Sequence, residues 1–317
     1  MPKRTTHTAK VGSRELTFSN LDKVLFPRDG YTKGDLIAYY LSVAKWLIPH
    51  VKDRPLTLQR YPDGITGQSF FEKQAPKYTP DWIKTIATSA EQGSRKIAYI
   101  VCNDEATLAW CANLAAITLH VWYSHKPTLE YPDYALFDLD PGEKCPVKTL
   151  ATVALEFREV LNEIGLKPLV KTTGGSGLHV VIPLKPQYSY DEIKQFAEIV
   201  ARRIAADLPK MTTLERTIAT RPQDVVYLDW VQVGRGKTVV PPYAVRARDK
   251  APVSMALDWS EVEKLRSKRG TPQATNAQWT LENALKRLER EGDLWAGKYW
   301  KPAALEPAIK KAQRAWS

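Results

Sequence analysis

An α/β or α+β fold is predicted by three observations. Short apolar runs and amphipathic helical stretches alternate along most of the chain, several apolar runs end on carboxylates or glycine-rich turns, and no internal repeat interrupts the pattern. The run 135–137, closed by Pro141-Gly142, reads as a buried strand. Because side chains alternate across a strand, Asp138 and Asp140 project from the same face. Two carboxylates on one face of a partly buried site stay ionised at low cost only with a cation between them. Oxygen-only donors suit Mg²⁺ or Mn²⁺, with water and phosphates completing the shell. Asp before Pro-Gly is equally good turn chemistry, so the pair alone leaves a metal site and a plain turn both open.

From the N-terminus, residues 1–10 read as a frayed basic tail, with a short strand pair within 10–18. Turn residues at 19–20 and 27–30 lead to a helix. Thr32 and Asp35 approximate a capping box, Leu36, Ile37, Tyr40, Leu41, Ala44, Leu47 and Ile48 form one apolar stripe, and Pro49 bounds it. Lys23 precedes this helix and Lys33 lies in its first turn, where amides favour an anion; taken by themselves, both lysines read as simply solvent-exposed. Over 54–80, Arg54, Arg60, Lys73 and Lys77 interleave with Tyr61, Phe70, Phe71 and Tyr78. Such a mixture suits a surface that tracks a nucleic-acid strand, although one of Phe70 and Phe71 is expected to point into the core. A strand at 97–101 and a helix at 104–119 follow. His120 and His125 read as polar contacts, because no second acidic or Cys ligand stands at metal spacing.

Beyond the Asp138/Asp140 strand, a helix at 148–164 leads to a strand at 169–171 and the loop Thr172 to Gly177. The next strand, 178–184, begins with Leu178-His179. Ser189 and Glu192 open another helix, and a strand at 225–228 places Asp229 at its end. From about residue 260 the composition turns charged and helical, with helices at 261–269 and 281–291. Trp279, Trp295, Trp300 and Trp316 are expected to pin this part to the body.

With 317 residues, 44% hydrophobic and 26% charged, the chain is of ordinary globular composition. No apolar run approaches the about 20 residues of a membrane helix, and no signal-peptide core is present, so a cytoplasmic protein with no membrane partner is expected. Cys102, Cys111 and Cys145 include no C-x-x-C pair and read as buried reduced thiols. Lys plus Arg number 46 against 35 acidic residues, a net charge of +11. That surplus favours a polyanionic partner, nucleic acid ahead of a membrane surface.

Gly174-Gly175-Ser176-Gly177 can present several backbone N–H groups at once, as an anion nest does. It is no Walker A loop, since no G-K-[ST] closes it. Gly236-Lys237-Thr238 has that ending, but Val231 stands where the first Gly is required. A hydrolase elbow fails because Leu178 follows Gly177. Taken with His179 and with Arg235, Lys237, Arg246 and Arg248, the loop joins three carboxylates, a histidine and several cations. These are the parts for two-metal phosphoryl or nucleotidyl transfer.

Three ordered motifs carry a resemblance. Phe137-Asp138-Leu139-Asp140-Pro141, the run Lys171 to Val180, and Asp229-Trp230-Val231-Gln232 with Gly236-Lys237-Thr238 resemble the polymerase domain of bacterial ATP-dependent DNA ligase D, in the archaeo-eukaryotic primase superfamily. The likeness extends to Leu21 through Pro27, Thr32 through Asp35, Pro242 through Ala247, Leu257-Asp258-Trp259 and Gly292 through Trp295.

The resemblance implies a primase-type catalytic core with a β-sheet floor flanked by helices, plus an N-terminal lobe. As one catalytic unit it divides into a lobe over about 1–130, a catalytic lobe over about 131–259 and a helical wrap over about 260–317. It further implies template-directed nucleotidyl transfer that fills short gaps at DNA breaks. Ribonucleotides are favoured, and NTP or dNTP substrates are used with two Mn²⁺ or Mg²⁺ ions. Asp138, Asp140 and Asp229 would hold the metals; His179, Thr173, Arg246 and, more weakly, Lys237 would contact the triphosphate. Lys23 and Lys33 would grip a 5′-phosphate on gapped or broken duplex, and Phe70 or Phe71 would stack on the template strand or nucleotide. The chain reads as a stand-alone, nucleoid-associated polymerase working with a separate DNA ligase and a Ku-type end-binding protein. Family members commonly carry Tyr-Leu-Gln-Asn where this chain has Trp230 to Val233, Ser at Thr173 and Lys at Ser176. These departures bear on sugar selectivity and gap preference. A metal-dependent nuclease or phosphodiesterase needs the same carboxylates but no triphosphate-binding His179–Arg246 set, and a non-catalytic DNA-end-binding protein needs only Lys23 and Lys33.

Overall fold

The computed structural model describes residues 5–89, 95–273 and 278–316. Its mixed α/β architecture comprises two compact units that share the chain discontinuously. The first contains 1–122, 238–254 and 279–293; the second contains 123–237, 255–278 and 294–317. The region past residue 260, expected as a separate helical wrap, is thus divided between them.

In the first unit the chain begins as a hairpin of β1 (Thr6–Val11) and β2 (Arg14–Ser19). The tail expected over 1–10 is therefore strand from Thr6, paired residue for residue with β2; residues 1–4 lie outside the described residues. Short strands β3 (Val24–Phe26) and β4 (Tyr31–Thr32) lead into α1 (Lys33–Val51). The Thr32/Asp35 capping box forms reciprocally, with Thr32 Oγ1 accepting from the Asp35 amide and Asp35 accepting from the Thr32 amide. Pro49 does not bound the helix but sits in its last turn, where it removes only one hydrogen bond. The apolar stripe is buried at Leu36, Ile37, Tyr40, Ala44 and Leu47 and half-buried at Leu41 and Ile48, and Tyr40 seals it by donating to the Ile117 carbonyl at 2.7 Å and accepting from the Val245 amide.

Next come β5 (Leu56–Arg60), β6 (Phe70–Glu72), β7 (Thr85–Thr88), β8 (Ile97–Ile100), α2 (Glu105–Asn113) and β9 (Ala116–Trp122). The helix expected over 104–119 stops six residues early. Ala115 adopts φ +56° and reverses the chain, after which 116–122 is a strand. Its continuous apolar run fits either periodicity, and burial in the sheet decides the outcome. Together with the later β15 (Thr238–Val239), the first unit's sheet has the order β15-β9-β5-β8-β7, with β6 alongside β5.

The second unit is built on β10 (Tyr134–Pro141), α3 (Val147–Glu163), β11 (Leu169–Thr172), β12 (Leu178–Pro183), α4 (Tyr190–Asp207), β13 (Thr212–Thr213), β14 (Val226–Asp229), β16 (Ala256–Leu257) and α5 (Trp259–Leu265). The sheet order is β13-β14-β10-β12-β11-β16, antiparallel except for β13 with β14. Along β10 burial alternates where it matters: Phe137 and Leu139 are buried, whereas Asp138 is half-buried and Asp140 exposed. Phe137 stacks on Phe157 of α3 with centroids 4.8 Å apart, so the helix covers the face opposite the carboxylates.

The last helices are α6 (Ala284–Glu291) in the first unit and α7 (Leu305–Ala315) in the second. Of the residues expected as helix, 266–267 and 281–283 are turns and 268–269 are irregular. Trp295 is buried and donates to the Val170 carbonyl, Trp300 meets Tyr134 of β10 edge-on with centroids 6.0 Å apart, and Trp316 reaches Glu163 at 3.4 Å, so three of the tryptophans pin the second unit's tail. All three cysteines are free and buried.

One cluster anchors the returning segments of the first unit. His50 Nε2 lies 2.7 Å from Asp293 Oδ2, Tyr243 Oη donates to Asp293 Oδ1 at 2.5 Å, and both His50 and Asp293 are at most 10% exposed. Removing one member of a buried pair strands the others. Asp293→Ala should therefore cost about 3 kcal/mol, read as a lowered denaturation midpoint in urea. Asp249→Ala, at a half-exposed pair with Arg28, should change it by less than about 1 kcal/mol.

Candidate active site

The second unit's sheet places four ionisable residues in one row. In the antiparallel register Lys171 faces His179, His179 faces Asp138, and Asp138 faces Asp229. Directly opposed residues share a face, so β11, β12, β10 and β14 present Lys171, His179, Asp138 and Asp229 side by side. Asp140, two residues beyond Asp138, joins the same face opposite Tyr227.

His179 is only 4% exposed, and its Nε2 lies 3.4 Å from Asp138 Oδ1. Asp229 accepts from the Val231 amide at 3.2 Å and from Tyr227 Oη at 3.4 Å. Burial, followed by the negative charge of Asp138, holds the Asp229 carboxyl above the usual carboxylate range, with Lys237 acting in the opposite direction. Lys237 folds back over Gly234 and donates to the Val231 carbonyl at 2.6 Å. Burial lowers its ammonium pKa, and Asp229 opposes that shift.

The carboxylates are aligned but not gathered. Among the described residues no three His, Cys, Asp or Glu side chains converge as a metal cage. Asp140 instead accepts from Arg221 Nη1 at 3.3 Å. Arg221 is fixed from several sides: it donates to the Glu215 and Arg216 carbonyls and lies 3.7 Å over the Tyr227 ring. The donor set nevertheless fits a hard divalent cation. Its groups are oxygen-only, Asp138 and Asp229 raise each other's cost of ionisation, and the backbone places all three on one face.

The glycine loop does not present its amides as a nest. The Gly175 and Gly177 N–H groups both donate to Thr173 Oγ1, at 3.0 and 3.2 Å, so the Thr173 hydroxyl closes the loop on itself. Gly177 is required by packing. A Cβ there would sit inside the contact distance of the Leu139 carbonyl oxygen, on the strand that carries the two aspartates.

The remaining expected residues belong to the first unit. Lys23 is half-exposed and pairs with Asp63 at 2.7 Å. Lys33 is 5% exposed, not solvent-facing, and its Nζ donates to the Asn113 carbonyl at 3.0 Å and Ser19 Oγ at 3.3 Å. Neither Phe70 nor Phe71 is a core residue: they are 44% and 58% exposed, because β6 is a three-residue strand at the side of its sheet. The Arg60 guanidinium lies 5.2 Å over Phe70, and Phe71 meets His120 edge-on at 5.4 Å. His120 also lies 3.4 Å from Gln59 Oε1, as a polar contact rather than a ligand. Arg246 is half-buried in the turn where Val245 bridges Val253. The sequence analysis assigns no site role to Arg221, which stands in the connection between α4 and β14, or to Lys171, which enters there only as the end of a strand and the start of the second motif.

An α/β sheet with three aligned carboxylates and a histidine beside a glycine loop offers the kind of donor set that phosphate chemistry assisted by divalent cations uses. Residues 32–295 match the family described as LigD, primase-polymerase domain. The chain is 31% identical to the bifunctional non-homologous end joining protein LigD of Bacillus subtilis, over 88% of this chain and 43% of that protein. It is 32% identical to the multifunctional LigD of Mycolicibacterium smegmatis, over 88% of this chain and 35% of that one. The chain therefore spans less than half the length of these relatives. A solved structure described as the polymerase domain of Mycobacterium tuberculosis ligase D in complex with DNA superposes with a TM-score of 0.80 at 32% identity. That match covers 88% of this chain and 96% of that one. The chain belongs to the LigD primase-polymerase domain family, a family of nucleotidyltransferases. No helix among the described residues is long and apolar enough to cross a membrane.

Proposed function

We propose that the chain is a DNA-repair polymerase that fills short gaps at broken ends by template-directed nucleotidyl transfer, favouring ribonucleotides. The observation that carries this reading is the register of Asp138 against Asp229, with Asp140 on the same face, in a chain of this family. Asp138, Asp140 and Asp229 would hold two divalent cations, Mn²⁺ or Mg²⁺, which when bound supply charge neutralisation for the triphosphate and the primer 3′-hydroxyl. His179 orients Asp138 from the neighbouring strand and offers a buried imidazole edge towards a triphosphate. Thr173 fixes the loop beside it. Lys237 and Arg246 contribute cations that stabilise charge developing on the leaving pyrophosphate. Arg221 leaves Asp140 as the site loads and can then serve the same negative charge.

Lys23 would engage the 5′-phosphate across the gap, Lys33 would join it only by giving up its contacts with Asn113 and Ser19, and the exposed Phe70 and Phe71 would stack on template bases. For Lys23 this means exchanging Asp63 for phosphate. A separate DNA ligase and a Ku-type end-binding protein are the partners this reading implies, at the nucleoid. Lys23→Ala should weaken binding to a gapped duplex about tenfold when the gap carries a 5′-phosphate and leave binding to the 5′-hydroxyl duplex unchanged. Fluorescence anisotropy at fixed salt measures both; equal weakening on the two duplexes would remove Lys23 from phosphate recognition.

A further inference from the structure

The second unit contains a buried phenol that none of the above uses. Tyr123 opens the unit, and its side chain is fully buried. Its ring packs on Tyr134 with centroids 5.2 Å apart. Tyr134 and Asp138 are four residues apart on β10 and so share a face, which places Tyr123 on the carboxylate side of the sheet. Among the described residues the hydroxyl of Tyr123 has no hydrogen-bond partner. Burial, followed by the neighbouring Tyr134 and the negative charges of Asp138 and Asp229, holds its pKa well above the usual phenol value. Next to it the chain is well satisfied: Ser124 Oγ bonds both the Leu129 carbonyl and Tyr190 Oη at 2.7 Å.

A buried hydroxyl left unpaired is costly, and phenylalanine would fill the same space without that cost. A phenol that stays protonated is a pure donor towards a carboxylate, and two carboxylates lie within its electrostatic reach. We propose that Tyr123 is a positioning residue for the metal-holding carboxylates, donating its hydroxyl hydrogen to Asp138 or Asp229 when these turn to bind divalent cations. It fixes the carboxylate oxygen that does not face the ion and so sets how tightly the ion is held. The inference rests on the reading of Asp138 and Asp229 as metal ligands.

The test uses the intact chain and Mn²⁺ alone, without nucleotide or DNA. Tyr123→Phe should unfold at the same temperature as the parent or slightly higher, since it deletes an unpaired buried hydroxyl. It should bind Mn²⁺ about tenfold more weakly by calorimetry or by the electron paramagnetic resonance of free Mn²⁺. Primer extension should fall at limiting Mn²⁺ and recover at saturating Mn²⁺. Unchanged unfolding with Mn²⁺ affinity within twofold of the parent would overturn the proposal and leave Tyr123 as core packing. If the parent and Asp138→Ala bind Mn²⁺ equally, the metal reading itself fails, and the role of Tyr123 fails with it.

Discussion

Asp138→Ala is expected to abolish nucleotidyl transfer, by about 1,000-fold or more, while leaving binding to gapped DNA intact. Asp138 is the hub of the row: His179 meets it from one side and Asp229 opposes it on the other. Removing it deletes a cation ligand and leaves His179 without its acidic neighbour, so the loss is concentrated in the transition state. Primer extension and anisotropy on the same preparation measure the two effects. The folded state should survive, since a half-buried carboxylate facing a second one contributes repulsion as well as contacts. A variant that extends primers at a tenth of the parent rate would show that the row does not carry the chemistry.

Gly177→Ala is expected to be severely damaging for the addition of a single methyl group. The added Cβ meets the Leu139 carbonyl, a backbone atom with no rotamer to escape into. Either β12 separates from β10 or the glycine loop shifts, and both displace His179 relative to Asp138. Overpacking of this kind costs about 1–3 kcal/mol of stability. An ångström of misplacement at the reacting groups costs about 100-fold in rate. Gly270→Ala is the useful contrast: nothing lies within 4 Å of a Cβ there, so only the strain of its φ of +105° is felt. Chemical denaturation together with single-turnover extension separates the stability loss from the rate loss.

The sequence made the row of carboxylates largely legible because its elements are local. Asp138 and Asp140 are two residues apart on an apolar strand, and Asp229 ends another. The capping boxes at Thr32 and Ser189 were legible for the same reason: each is a four-residue motif. What the sequence hid depends on register and on long-range contacts. Whether 114–119 is helix or strand is set by the sheet it enters, since its residues are buried under either reading. The contact of Arg221 with Asp140 spans 81 residues of chain, and Lys171 stands beside His179 only once β11 and β12 pair. Phe70 and Phe71 looked half-buried because a strand ordinarily has an inner face; on the short β6 both stay exposed. Burial of Lys33 was equally invisible, because its acceptors Ser19 and Asn113 come from β2 and the end of α2.

Val233, where the resemblance in the sequence leads one to expect a polar residue, is fully buried. The turn after Asp229 is thus held by packing, by the Asp229 side chain and by Lys237 on the Val231 carbonyl. Asp229 stays anchored without the missing polar group, which is why activity is expected to persist.

The most direct measurement is extension of a primer on a duplex with a short gap. Ribonucleotides would be compared with deoxyribonucleotides, Mn²⁺ with Mg²⁺, and a 5′-phosphate with a 5′-hydroxyl. The expected result is templated extension stimulated by the phosphate, favouring ribonucleotides and absent in Asp138→Ala. No extension with either metal by a protein that still binds the gapped duplex would contradict the account and leave a DNA-binding module in its place.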